Sequence, residues 1–143
     1  MDRERPSSKV TAVILAAGIG KRMGTGISKQ YLKIGEKPIL VHTLEKFEKA
    51  SKVNNIVIVV SKTDITYVRE EICEKYAISK VTDITVGGKE RQDSVKNGLR
   101  CLDSDTDIVV IHDGVRPFIS PEYIDILIRD VREKGEIKGL TPS

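Results

Sequence analysis

No apolar run in this sequence approaches the ~18 residues that a membrane-spanning helix needs. The polar, charged start from Met1 to Lys9 also lacks the apolar stretch of a secretion signal. A cytoplasmic protein with no membrane partner is therefore expected. Cysteine is scarce: Cys73 and Cys101 stand far apart in helix-like segments, with no CxxC or Cys/His ligand spacing. That pattern speaks against zinc and for two free thiols in a reducing compartment. An excess of charge of one sign is nearly absent, since the net value is only +3 with acids and bases mixed. Without a basic tract, nucleic acid is not an expected partner, although a local cluster of bases still suits a small anion. Neither an internal repeat nor a low-complexity segment is present. Histidine occurs twice, as His42 and His112. No Ser/His/Asp or Cys/His arrangement forms around them, so His112 reads as structural and His42 as a helix-surface residue.

What is present is ordinary globular material. Hydrophobic residues make up 39% and charged residues 31% of the 143 positions, which suits one soluble domain over residues 1–143. A domain of this size buries roughly 68–70% of its unfolded surface, enough for a core. Apolar runs alternate with amphipathic stretches. Val10–Ala16, Ile56–Ser61, Val81–Val86 and Ile108–His112 read as strands. Val81–Val86 is the weaker of them and reads as half-buried, while the largely β-branched runs of the others fit strands covered on both faces, as in a parallel sheet. Between them lie helical stripes. Pro38 opens one with Leu40, Leu44 and Phe47 inward. Ile65, Val68, Ile72 and Tyr76 form the next, and Val95, Leu99 and Leu102 the third. Ser120 caps a fourth, with Pro121 first and Ile124, Leu127, Ile128 and Val131 facing the core. The order βαβαβαβα predicts an α/β layer fold with a mostly parallel sheet.

Three loops carry the chemistry, and each follows a strand. In open α/β sheets, ligands bind at that carboxyl edge. The first loop, AAGIGKRMGTGISKQ, combines Gly18, Gly20, Gly24 and Gly26 with Lys21, Arg22 and Lys29. Glycines let backbone N–H groups turn toward a ligand, and the cations match phosphate oxygens. The spacing is not the dinucleotide fingerprint, because Met23 stands where glycine or alanine belongs; nor is it the P-loop. A dinucleotide-dependent oxidoreductase is thereby disfavoured. The second loop, GGKERQDS, offers Gly87, Gly88 and Lys89, with Ser94 in the first turns of a helix. The third, HDGVRPF, places Asp113 at a strand end as a candidate Mg²⁺ ligand or ribose acceptor. Gly114 follows it, and Arg116 is available for a second phosphate. Three such loops at one sheet edge favour a phosphate-rich nucleotide.

The stretches AVILAAGIGKRMG, SKQYL, KPILVHTLEKF, GGKERQDSVKNGL and HDGVRPF span nearly all of Val10 to Phe118. In this order they closely resemble the 2-C-methyl-D-erythritol 4-phosphate cytidylyltransferases of the non-mevalonate isoprenoid pathway. The ribitol 5-phosphate cytidylyltransferases are the next most similar family. The resemblance implies a Rossmann-like, three-layer nucleotidyltransferase fold, CTP and methylerythritol phosphate as substrates, and Mg²⁺ as cofactor. It implies that Arg22 and Lys29 act on the transition state. Backbone at Ala16, Ala17, Gly18 and Gly88, with Ser94, is expected to hold the cytosine. Gly20, Lys21, Gly87, Lys89 and Gly114 complete the nucleotide site, and Asp113 and Arg116 lie near ribose, metal and acceptor. The family continues beyond the HDGVRPF region with acceptor-site residues and a dimer arm that the stretch Gly139 to Ser143 does not match. The expectation is a C-terminally incomplete domain, inactive or impaired by itself. A catalytically silent CTP-binding module is the competing expectation.

Overall fold

The structure, a computed structural model, describes residues 9–17 and 28–134. In chain order these form β1 (Lys9–Leu15), the short strands β2 (Lys33–Ile34) and β3 (Lys37–Pro38), and α1 (Ile39–Lys49). Then come β4 (Asn55–Val60), α2 (Ile65–Tyr67), β5 (Val81–Val86), α3 (Arg91–Leu99), β6 (Thr106–Asp113) and α4 (Pro121–Lys134). The long strands make one parallel sheet in the order β5-β4-β1-β6, and β2 pairs with β3 as a separate antiparallel ribbon. Strand polarity follows the sequence. The most apolar runs, in β1 and β4, occupy the centre. The edge strand β5 exposes Thr82 and Asp83, polar positions that discourage further pairing.

Strand side chains alternate between two faces. Val10, Ala12 and Ile14 of β1, with Ile56, Ile58 and Val60 of β4, join a core built from α1, the α2 region and α4. Val13, Leu15, Val57 and Val59 point the other way, toward Val95, Cys101 and Leu102. The sheet therefore lies between two helical layers. In α1 the spacing Leu40, Leu44, Phe47 is buried throughout. Burying a side chain such as Phe47 contributes about 1.5–3 kcal/mol. Helix α4 starts as its sequence predicts: the Tyr123 N–H donates to Ser120 Oγ at 3.0 Å, and Ile124, Ile128 and Val131 are buried. No described helix is long and apolar enough to cross a membrane.

Three details depart from the sequence reading. Pro38 is the cap before α1, not its first residue, because its ψ of 149° keeps it extended and paired with Lys33. Leu99 is 39% exposed, while Ser94 and Gly98 take the inward positions of α3. A Cβ at Gly98 would stand 2.6 Å from Val13 Cγ1, so the helix approaches the sheet too closely for a larger residue. The stripe through Val68 and Ile72 continues from α2 as π-type turns over Val68–Glu74, with a Lys75 N–H to Glu70 carbonyl bond at 3.2 Å. The wider winding brings Ile72 and its neighbour Cys73 inward together. Ala77 then closes the segment at φ 55°, in the left-handed region.

Candidate functional site

The strand order places the carboxyl ends of β1 and β6 side by side, where the chain reverses its direction of travel across the sheet. Leu15 lies opposite Val59 on one side and Asp113 on the other, so three strands end level. The ladder runs on into the loops. Ala16 N–H donates to the Val59 carbonyl at 2.7 Å, Gly87 N–H to Val60 at 2.8 Å, and Gly114 N–H to Leu15 at 2.7 Å. Such a switch point is the crevice where α/β sheets bind ligands.

The loops touch one another here. A Cβ at Gly87 would stand 2.3 Å from Ala17 Cβ and 2.7 Å from Ser94 Oγ. One at Gly114 would stand 3.2 Å from the Leu15 carbonyl and 3.4 Å from Ala16 Cβ. Gly87 is thus required by close approach, a side chain at Gly114 would be a tight fit, and the first loop's start packs against both others. A cleft of about 240 Å³ lies between them, lined by Leu15, Ala17, Gly88, Lys89, Glu90, Arg91, Ser94, Asp113 and Val115. The amino end of α3 opens into it, and a helix amino terminus favours an anion.

Burying a polar side chain is costly unless it is hydrogen-bonded, so the places where this chain buries them are informative. Thr11, Gln30, Thr43, Ser94 and His112 are the buried polar residues among those described. Four of the five hold site backbone. Gln30 Nε2 donates to the Ala16 carbonyl at 2.8 Å, and Thr43 Oγ1 to the Gly114 carbonyl at 2.7 Å. His112 Nε2 donates to the Arg116 carbonyl at 2.9 Å, which makes it structural as expected. Ser94 Oγ accepts from the Gly88 N–H at 3.1 Å and keeps its own proton for a further acceptor. Asp93 closes the same loop by accepting from the Glu90 N–H at 3.1 Å.

Asp113 sits at the mouth, half-buried, between two guanidiniums: Arg91 Nη2 at 3.2 Å and Arg116 Nε at 3.3 Å. Both arginines are more than half exposed. Exposed pairs of this kind contribute only about 0–1 kcal/mol to folding. Their consequence is local, a carboxylate flanked by two cations at the edge of the cleft. No three His, Cys, Asp or Glu side chains gather as a metal cage among the described residues. A single carboxylate nevertheless suits Mg²⁺, which commonly takes one or two carboxylates and fills its remaining positions with water and substrate phosphates.

Of the residues expected from sequence, Ala17, Gly88, Lys89, Ser94 and Asp113 line the common cleft. Ala16, Gly87 and Gly114 form its packed floor, and Arg116 reaches it through Asp113. Lys29 is exposed in a short 3₁₀ turn, Lys29–Tyr31, and is not among the cleft-lining residues. That turn is anchored by Gln30 and by Tyr31, whose phenol donates to Asp64 at 2.9 Å and is pushed above its ordinary pKa by burial and by Asp64. Gly18, Gly20, Lys21 and Arg22 lie outside the described residues. The sequence reading missed Arg91 and Gln30. Arg91 stood inside GGKERQDS, and its place at a helix start was the available signal; nothing local marked Gln30. His42, expected on a helix surface, is half-buried with Nε2 2.8 Å from the Ile34 carbonyl.

The family model described as 2-C-methyl-D-erythritol 4-phosphate cytidylyltransferase matches residues 10–141. A protein of that description from Alkaliphilus metalliredigens (strain QYMF) is 46% identical over 136 residues, covering 95% of this chain and 56% of its own length. One from Geotalea uraniireducens (strain Rf4) is 52% identical over 113 residues, covering 78% of this chain and 48% of its own length. Among solved structures, 4-diphosphocytidyl-2C-methyl-D-erythritol synthase from Anaerococcus prevotii superposes with a TM-score of 0.74 at 30% identity. That match covers 89% of this chain and 52% of the other. The chain thus spans about half the length of the relatives it matches.

Proposed function

Since the chain belongs to the 2-C-methyl-D-erythritol 4-phosphate cytidylyltransferase family, we propose that it is the CTP-binding domain of an enzyme transferring CMP from CTP to 2-C-methyl-D-erythritol 4-phosphate. The products are 4-diphosphocytidyl-2-C-methyl-D-erythritol and pyrophosphate. The observation that supports this reading is the cleft at the sheet's switch point, lined by three loops with a helix amino terminus and Lys89, Arg91 and Asp113 around it.

The chemistry asks little of a general base. An acceptor phosphate oxygen, already anionic, bonds to the α-phosphorus while the bond from that phosphorus to the bridging oxygen of pyrophosphate breaks. The barrier lies in bringing anions together and in the charge that accumulates on the leaving group. In this reading Ala17, Gly88 and Ser94 orient the nucleoside, and the α3 amino terminus and Lys89 hold phosphate. Arg22 and Lys29 stabilise charge in transit. Asp113 would hold Mg²⁺, which supplies Lewis-acid neutralisation of phosphate charge when bound. Arg116 serves the acceptor phosphate.

The test is pyrophosphate release with CTP, Mg²⁺ and methylerythritol phosphate, in a chain extended to the relatives' full length and in the present chain. The extended protein is expected to turn over and the present one to be impaired. Lys29→Ala in the extended protein is expected to lower kcat by about 10²–10³ with little change in KM for CTP. A near-normal kcat would remove Lys29 from the catalytic set.

A further inference from the structure

Gln30 is 2% exposed. Its Nε2 donates to the carbonyl of Ala16, fourteen positions earlier and at the end of the central strand. Its Oε1 is also buried, yet finds no hydrogen-bond partner among the described residues. A buried acceptor left unsatisfied opposes folding. An apolar side chain of the same length would remove that orphan and leave the Ala16 carbonyl unpaired instead, so the amide adds little net stability.

Its placement offers another explanation. Ala16 is fixed from one side by β4, through its N–H to the Val59 carbonyl at 2.7 Å, and from the other by Gln30. The next residue, Ala17, lines the cleft and packs against Gly87. Lys29 is the neighbour of Gln30 on an exposed turn that Tyr31 ties to Asp64. One buried amide therefore couples the strand end that lines the cleft to the turn that carries Lys29.

We propose that Gln30 is a positioning residue, holding the strand end at Ala16 and Ala17 in place for the nucleotide while the same anchored turn carries Lys29. The assignment rests on the CTP-binding reading above. It acts through the backbone of Ala16 and touches no reacting atom.

The test uses Gln30→Met, which keeps length and removes the amide, and Gln30→Glu, whose carboxyl reproduces donor and acceptor only when protonated. Gln30→Met exchanges one orphaned acceptor for another, so its Tm is expected within about 3 °C of wild type. Calorimetry with CTP and Mg²⁺ should nevertheless show affinity about tenfold weaker, near the upper end of one lost hydrogen bond. For Gln30→Glu the ratio to wild type, taken at each pH, should narrow from about tenfold at pH 8 to about threefold or less at pH 5.5. A merely structural role would not produce that pH-dependent rescue. Equal affinity of all three proteins, or a loss confined to Tm, overturns the positioning role and leaves the CTP reading intact. Failure of the wild type to bind CTP refutes both. If neither variant folds, the assigned Gln30 side-chain amide resonance of the wild type decides. It should exchange slowly and shift on adding CTP with Mg²⁺; an unmoved resonance contradicts the proposal.

Discussion

Gly87→Ala tests whether the contact between the first two loops shapes the cleft. The new methyl carbon would stand 2.3 Å from Ala17 Cβ, 2.7 Å from Ser94 Oγ and 3.4 Å from Val59 Cγ1. Carbon atoms meet comfortably at about 3.5–4.0 Å, so the loops must part by more than about 1 Å at Ala17. Backbone strain plays no part, because Gly87 does not have positive φ. Overpacking of this kind costs about 1–3 kcal/mol. In a domain of this size that corresponds to a Tm lower by roughly 3–9 °C. Ala17 and Ser94 both line the cleft, so parting them should lower CTP affinity in the folded protein by about tenfold, the equivalent of about 1.4 kcal/mol. Adding Ala17→Gly removes the methyl on the opposite side. The double variant should recover part of both losses, with a coupling of about 1 kcal/mol or more. Calorimetry and thermal unfolding on the four proteins of this cycle provide the assay. Strict additivity, or normal affinity in Gly87→Ala, would refute the claim that these loops build one cleft by contact.

Further outcomes follow from other parts of the molecule. Asp113→Asn should remove most of the Mg²⁺ dependence of CTP affinity while changing folding stability by less than about 1 kcal/mol, since its partners are exposed arginines; an unchanged Mg²⁺ titration would contradict its assignment. Ala77→Gly should stabilise the fold by about 0.5–1 kcal/mol, read as a higher Tm, because Ala77 has φ 55°; a lower Tm would contradict the strain. Burial pushes the Cys73 thiol up to about 11. The fold keeps it neutral while the unfolded chain ionises near 9, so this stabilisation is complete below pH 9 and is lost as pH rises toward 11. It amounts to on the order of 2 kcal/mol. Cys73→Ala should flatten the dependence of unfolding free energy on pH between 9 and 11, and an unchanged slope would place the thiol elsewhere.

Much of this architecture was legible because each strand and helix states its environment locally. The runs VTAVILA and IVIVVS are rich in β-branched residues and carry no charge, and they became the two central strands. Ser120-Pro121 marked the start of α4, and the cap bond is there. The loops were legible for the same reason, as glycines and bases immediately after strands. Packing between distant segments was not. Leu99 looked like a core residue until Gly98 proved to be the point where α3 meets Val13 and Val59. The pairing of Arg91 with Asp113, 22 positions apart, needs two loops to meet across the cleft. Gln30 depends likewise on its distance from Ala16, which no local pattern encodes.

In the proposed function the cleft recognises a cytidine nucleotide. Calorimetric titration of this chain with CTP, UTP, ATP and NADH, each with Mg²⁺ at one ionic strength, tests it most directly. CTP should bind more tightly than the other three, and Asp113→Asn should erase most of the Mg²⁺ contribution to that affinity. Equal affinity for all four ligands would contradict the account.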